Sequence, residues 1–93
     1  MTTHAVAMLT VTNPESLAQY RDKAGDALAK HGGAVLQASG DLTRIDGDAA
    51  APNVMAILQF PDPDAAHAWI NDPDLADVHA LRRNGGSSDI FLL

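Results

Sequence analysis

The fold turns on residues 53–74, "NVMAILQFPDPDAAHAWINDPD". Residues 53–60 carry apolar side chains at adjacent positions, the pattern of a strand covered on both faces and not of a half-buried one, which alternates. Asp62-Pro63-Asp64 follows at once. An aspartate side chain accepts free helix N–H groups, proline suits the first helical position, and an acid complements the positive first turn. A helix therefore starts at residue 63, and the same signal, Asp72-Pro73-Asp74, breaks it and starts it again.

Working outward, Asn13-Pro14-Glu15 repeats this punctuation near the N-terminus. The helix it opens runs from about Pro14 to about His31, with Leu17, Tyr20, Ala24, Leu28 and His31 along one face and Gly32-Gly33 as its stop. "HAVAMLTV" at 4–11, "AVLQASGDLTRI" at 34–45 and "SDIFLL" at 88–93 read as further strands. The order is βαββαβ, an α+β, ferredoxin-like plan with helices on one face of an antiparallel sheet. "AVAML", "VMAIL" and "IFLL" are apolar on both faces, yet the chain has no third layer to offer. The economical cover is a second copy, sheet against sheet, across a two-fold axis.

Length and charge narrow the function. At 93 residues the chain reads as one domain, 1–93, small enough to gain from association. Twelve Asp and Glu against six Lys and Arg lack the basic field that a nucleic-acid backbone requires. The absence of cysteine removes disulfides, thiolate metal sites and a cysteine nucleophile. "MTTHAVAMLTVTNPE" has no basic leader, and its apolar run stops at Asn13-Pro14, short of the roughly twenty residues a membrane helix needs. The expectation is a cytoplasmic protein with no membrane or nucleic-acid partner.

"YRDKAGDALAKHGG", Asp46-Gly47 before the third strand, "LQFPDPDAAHAWINDP", and "ALRR" before the last strand together resemble the dimeric α+β barrel family catalogued as domain of unknown function 1330 (DUF1330). Tyr20, Gly32-Gly33, Phe60-Pro61 leading to Ala68-Trp69, and Leu81-Arg82-Arg83 carry the likeness most specifically. Asp46 stands where the family usually has Glu, and Leu75 where it has an aromatic residue. The resemblance implies a homodimer with a cleft between helices and sheet, related in fold to muconolactone isomerases, small quinone-forming monooxygenases and stress-responsive barrels. A shared fold does not carry one reaction with it.

The candidate site follows from what is left after structural roles are assigned. Glu15, Asp62, Asp64, Asp72 and Asp74 are accounted for at helix starts. Asp46 before Gly47 is a normal turn pair, and the family's acidic preference there is what suggests a base. His4, His31, His67 and His79 contain no metal-ligand spacing, and Asp64 with His67 is a surface pair, so no metal is expected. "HGGAV" and "NGGSS" lack the context of a phosphate cradle; each glycine pair ends a helix, and Ser87 and Ser88 form no nucleophile elbow.

Tyr20 is either a core aromatic or a phenol reaching into the cleft. Trp69 and Phe60 supply apolar wall, Trp69 doubling as a core anchor. Arg82 and Arg83 both suit the negative end of the last helix. Arg82 lies four residues after Val78 and seven after Leu75, so its stem follows the buried stripe and its guanidinium is placed to meet a carboxylate or enolate; Arg83 lies on the flank. His79 is a candidate proton carrier near neutral pH.

The catalytic candidates are thus Tyr20, His79, Arg82 and Asp46, and the substrate-binding candidates Trp69, Arg82, Arg83 and Phe60. They describe a small-molecule-binding homodimer working without cofactor or metal on a small anionic or carbonyl-bearing metabolite, as an isomerase, cyclase or lyase. The alternatives are a non-catalytic metabolite-sensing or structural dimer, and a cofactorless monooxygenase of an aromatic substrate.

Overall fold

The computed structural model describes residues 1–93. β1 (Thr3–Val11), α1 (Pro14–Ala29), β2 (Ala34–Ser39), β3 (Val54–Phe60), α2 (Pro63–Asn71), a 3₁₀ turn (Pro73–Leu75), α3 (Ala76–Asn84) and β4 (Gly86–Leu92) follow one another. The sheet order is β2-β3-β1-β4, antiparallel throughout, which is the ferredoxin-like arrangement.

The three punctuation signals act as local chemistry dictates. Asn13 Oδ1 accepts from the Ser16 N–H at 3.3 Å, Asp62 Oδ1 from Ala65 at 2.8 Å and Asp72 Oδ1 from Asp74 at 2.9 Å. The third opens a 3₁₀ turn and not an α-helix; α3 begins three residues later without a side-chain cap. α1 closes at Ala29, with Lys30 and His31 in the turn that follows, and Gly32, at φ 73°, takes the left-handed position. Gly33 N–H returns to the Leu28 carbonyl at 2.8 Å.

Two expectations change. The second strand, expected over 34–45, stops at Ser39, because β3 begins at Val54 and the ladder ends at the Ser39–Met55 pair. Residues beyond it have no strand to bond to, and 40–51 lie exposed. Gly86, expected to help end a helix, opens β4 instead: Gly85 caps α3, and a Cβ at Gly86 would overlap the Thr10 carbonyl oxygen.

Alternation sorts the sheet into two faces. Ala5, Ala7 and Leu9 of β1 and Leu58 and Phe60 of β3 point to the helices and are buried. With Leu28, Trp69 and Leu75 they make the core. Val6, Met8, Met55, Ile57 and Phe91 point the other way and pair across strands as one apolar patch. Ile57 and Phe91 are 39% and 59% exposed. The molecule is a slab of 35 × 31 × 16 Å with its helices on one side. No helix is long and apolar enough to cross a membrane.

Candidate functional site

Beneath α1 the sheet presents Ala7, Ala38 and Ala56, side chains too short to reach the helix. The result is an apolar cleft of about 330 Å³, closed on the helix side by Tyr20, Ala24 and Gly25. Two cations line it: Arg82, reaching in from α3 with only 3% of its surface exposed, and Arg21 of α1, which is exposed. Arg83, the residue after Arg82, is exposed.

The guanidinium of Arg82 is held on several sides. Nε donates to Ser88 Oγ at 3.1 Å, and Nη1 donates to His79 Nδ1 at 2.8 Å. The Tyr20 and Trp69 rings flank it, with centroids 5.6 and 5.5 Å from Cζ. No carboxylate meets it: the ion pairs of the molecule join Lys30 and His31 to Asp72, and Lys30 to Asp74. Burying a cation costs several kcal/mol in general, a cost that a counter-charge usually offsets, and here the protein offers none.

His79 lies behind Arg82 and is 1% exposed. A guanidinium has no acceptor, so Nδ1 must be the lone-pair nitrogen and Nε2 must carry the hydrogen, donated to the Trp69 carbonyl at 2.9 Å. Burial, then the Arg82 and Arg83 charges, push its pKa below the usual 6.5, while the Trp69 carbonyl pulls the other way. The ring is a neutral support for Arg82 with both nitrogens engaged.

The other candidates fall elsewhere. Phe60 of β3 and Trp69 of α2 are core residues, with ring centroids 5.6 Å apart, and Trp69 meets the His79 ring edge-on at 4.7 Å. They border a smaller apolar cavity of about 140 Å³ and touch the cleft through the contact of Trp69 with Arg82. Asp46 is exposed in the loop between β2 and β3 and does not line the cleft. The structure thus brings Tyr20, Arg82 and, behind them, His79 and Trp69 together, and leaves Asp46, Arg83 and Phe60 outside.

Sequence reasoning gave Ser88 little weight, yet it anchors Arg82. Strand parity carries the signal: Ser88 pairs with Leu9, so it shares the helix-facing side with Ile90 and Leu92. A second missed group is Lys30, His31 and Asp72. Lys30 Nζ lies 2.7 Å from Asp72 Oδ2 and His31 Nε2 2.8 Å from it. No local spacing links residues so far apart in the chain.

Comparison with known proteins adds the family. A model of the family described as Domain of unknown function (DUF1330) matches residues 2–93. No functionally curated protein is significantly similar. Among solved structures, a protein of unknown function from Rhodopseudomonas palustris is 19% identical, with 99% of this chain and 80% of that chain covered and a TM-score of 0.73. SnoaB, a cofactor-independent oxygenase from Streptomyces nogalater, is 16% identical over 99% of this chain and 90% of that one, with a TM-score of 0.73. A dimeric ferredoxin-like protein of unknown function from Jannaschia sp. CCS1 is 10% identical over 100% and 98%, also at 0.73. These likenesses establish a shared fold.

Proposed function

We propose, from the premise that this chain belongs to the DUF1330 family, that it is a homodimer in which each subunit binds one small, largely apolar molecule bearing a negative or developing negative charge. The family description assigns no reaction, so the reading rests on the site. One observation carries it: Arg82 is buried at the cleft with no acid beside it. An apolar cleft with a few convergent polar groups is the common form of a small-molecule site. A guanidinium held in place before the ligand arrives stabilises an anion, or a carbonyl gaining charge in a transition state, without reorganisation. Tyr20 supplies a hydroxyl beside it to orient a second polar atom. His79 acts through Arg82, and Trp69 supplies the ring behind it. This accommodates an isomerase-, cyclase- or lyase-type step that passes through an enolate, and equally a protein that only senses such a molecule. The site as read uses no cofactor.

The dimer follows from the uncovered patch of Val6, Met8, Met55, Ile57 and Phe91, a contiguous apolar surface of the kind that marks an association face. Structural neighbours described as dimeric support it. A cofactorless oxygenase of an aromatic substrate is the second reading, favoured by the apolar cleft and by the neighbour SnoaB; substrate-dependent oxygen uptake distinguishes it.

The test is a thermal-shift screen of small aromatic carboxylates and aryl ketones, followed by calorimetric titration of the parent and Arg82→Gln. Loss of about 1.5 to 3 kcal/mol of binding in the variant is expected for a charge-assisted contact. Equal binding by both proteins would overturn the reading. Sedimentation tests the dimer, and a stable monomer at micromolar concentration would sink it.

A further inference from the structure

We propose that the cleft takes a ligand with an anionic group at each end of an apolar body, one end held by Arg82 and the other by Arg21. The inference rests on the anion-binding reading above and names the class of ligand. The cleft reverses the charge of the molecule. The chain carries twelve acids against six Lys and Arg, yet no Asp or Glu lines the cleft, while Arg21 and Arg82 both do. Arg21 is as free of acids as Arg82. It takes no part in the ion pairs of the molecule, and the positions three and four residues away on α1 are Leu17, Ala18, Ala24 and Gly25.

The two arginines approach the cleft from opposite sides of α1. Ser16 and Ala27 mark the side toward α3: Ser16 Oγ donates to the Leu81 carbonyl at 2.9 Å, and Ala27 shares a surface hollow with Leu75 and Val78. Tyr20 lies on that side as well, against Arg82. At roughly 100° per residue, Arg21 and Gly25 fall on the other flank, away from α3. α3 packs on β4 and α1 on β2, the opposite edges of the sheet. Arg82, tied to Ser88 of β4, therefore closes the inner end, and Arg21 stands toward the β2 edge.

Between them an apolar floor crosses all four strands, from Ile90 through Ala7 and Ala56 to Val35 and Ala38. At about 4.8 Å per strand, the outer strands stand about 14 Å apart, so an occupant that fills the floor is long and not compact. Val35 and Ala38 are of opposite parity and could not both face the helix in a regular strand. Leu36 is the extra residue of a bulge that shifts the pairing from Val35–Leu58 to Gln37–Ile57, and both side chains come to line the cleft. Gly25, one turn on from Arg21, keeps the helix wall low at the same end. A Cβ there would have no atom within 4 Å, so packing does not call for a glycine in this helix interior.

The two ends differ in strength. The bonds to Ser88 and His79 leave the Nη1/Nη2 fork of Arg82 open to a carboxylate, in a buried setting. Arg21, at the solvent edge, is a weaker and screened partner. The inner anion sets affinity, and the outer one selects among ligands of equal apolar length.

The experiment is calorimetric titration with three straight-chain probes: octanedioate, octanoate and 1-octanol. Octanedioate exchanges the terminal methyl of octanoate for a second carboxylate, a change that apolar burial alone would penalise. The parent is expected to bind octanedioate about fivefold more tightly than octanoate, beyond the roughly twofold that two equivalent ends give by number, and both acids at least about tenfold more tightly than 1-octanol. Arg21→Gln, at an exposed position, is expected to reduce the fivefold advantage to about twofold or less and to leave octanoate binding unchanged. Arg82→Gln is expected to bring both acids down to the alcohol. An advantage of twofold or less in the parent, with both acids lost in Arg82→Gln, would overturn the two-ended ligand while leaving the anion site standing. A larger advantage that survives Arg21→Gln would overturn it too, even if Arg82→Gln failed to fold. Acids binding no better than 1-octanol in the parent would overturn the anion site itself, and this inference with it.

Discussion

Two cations of this chain meet opposite fates. Lys30, just past the end of α1, faces two carboxylates, Asp72 at 2.7 Å and Asp74 at 3.2 Å, and remains about half exposed. Arg82, at the end of α3, is buried and faces none. Around Lys30 every charge is answered within the chain. The hydrogen bond to Asp72 raises its pKa, and those from Lys30, then His31, then the Asp74 N–H hold the Asp72 carboxyl well below the usual carboxylate range. That cluster ties the C-terminal end of α1 to the 3₁₀ turn and leaves nothing for a ligand. Around Arg82 the protein fixes position through a hydroxyl, a neutral imidazole and two rings, and leaves the charge unanswered. A satisfied ion pair is evidence of architecture, whereas a buried, immobilised and unpaired cation is evidence of something to be bound.

The largest effect should come from removing the support behind the unpaired cation. His79→Ala leaves the Trp69 carbonyl without its donor and Arg82 Nη1 without its acceptor, each at about 1 to 3 kcal/mol for a buried group left unmatched. Urea unfolding should show this loss. A variant as stable as the parent would mean that these two hydrogen bonds do not hold the site.

Acid should separate the two regions. The folded-state pKa of His79 lies below its ordinary 6.5, so the unfolded chain binds the proton more readily. Its contribution is complete above that value and is lost as pH falls below it. The Asp72 contribution is also complete above the ordinary value, here 3.8, and is lost only below it. Melting temperature should therefore decline in two stages, and His79→Ala should lack the share of the first that the imidazole contributes. A parent whose melting is flat from pH 7 to 5 would contradict the buried neutral ring.

On the paired side, Asp72→Asn keeps a residue able to cap the 3₁₀ turn but cancels the charge that Lys30 and His31 meet. A lower melting temperature is expected, with the difference from the parent shrinking as salt is added, because this cluster is reached by solvent. A salt-independent difference would point to packing instead.

What was legible in the sequence was what chain neighbours decide. Asn13, Asp62 and Asp72 cap within two or three residues of themselves, and helical periodicity alone separates Arg82 from Arg83. The length of β2 was not legible. "DLTRI" alternates like a strand, but pairing depends on β3, which starts at Val54. Nor was the role of His79: Arg82 is its neighbour one helical turn on, but its other partner is a main-chain carbonyl ten residues back, which no local spacing reveals. Lys30 and Asp72 meet through tertiary packing alone.

The smallest effect belongs to the neighbour that shares the helix end but not the cleft. Arg83 is exposed in the last turn of α3, where a cation complements the negative end of the helix dipole, so Arg83→Gln should cost about 0.3 to 1 kcal/mol of stability. Its side chain does not line the cleft, so affinity for any anion that Arg82 holds should change little. The guanidinium charge does reach His79 weakly, adding to the downward pressure on its pKa. Arg83→Gln should therefore make the upper stage of the acid decline slightly smaller, with its onset unchanged, while Arg82→Gln removes ligand binding. Calorimetric titration and pH-dependent melting of the two variants side by side provide the check. Equal losses of affinity at both positions would mean that long-range charge draws the anion in, and that Arg82 is not its specific receptor.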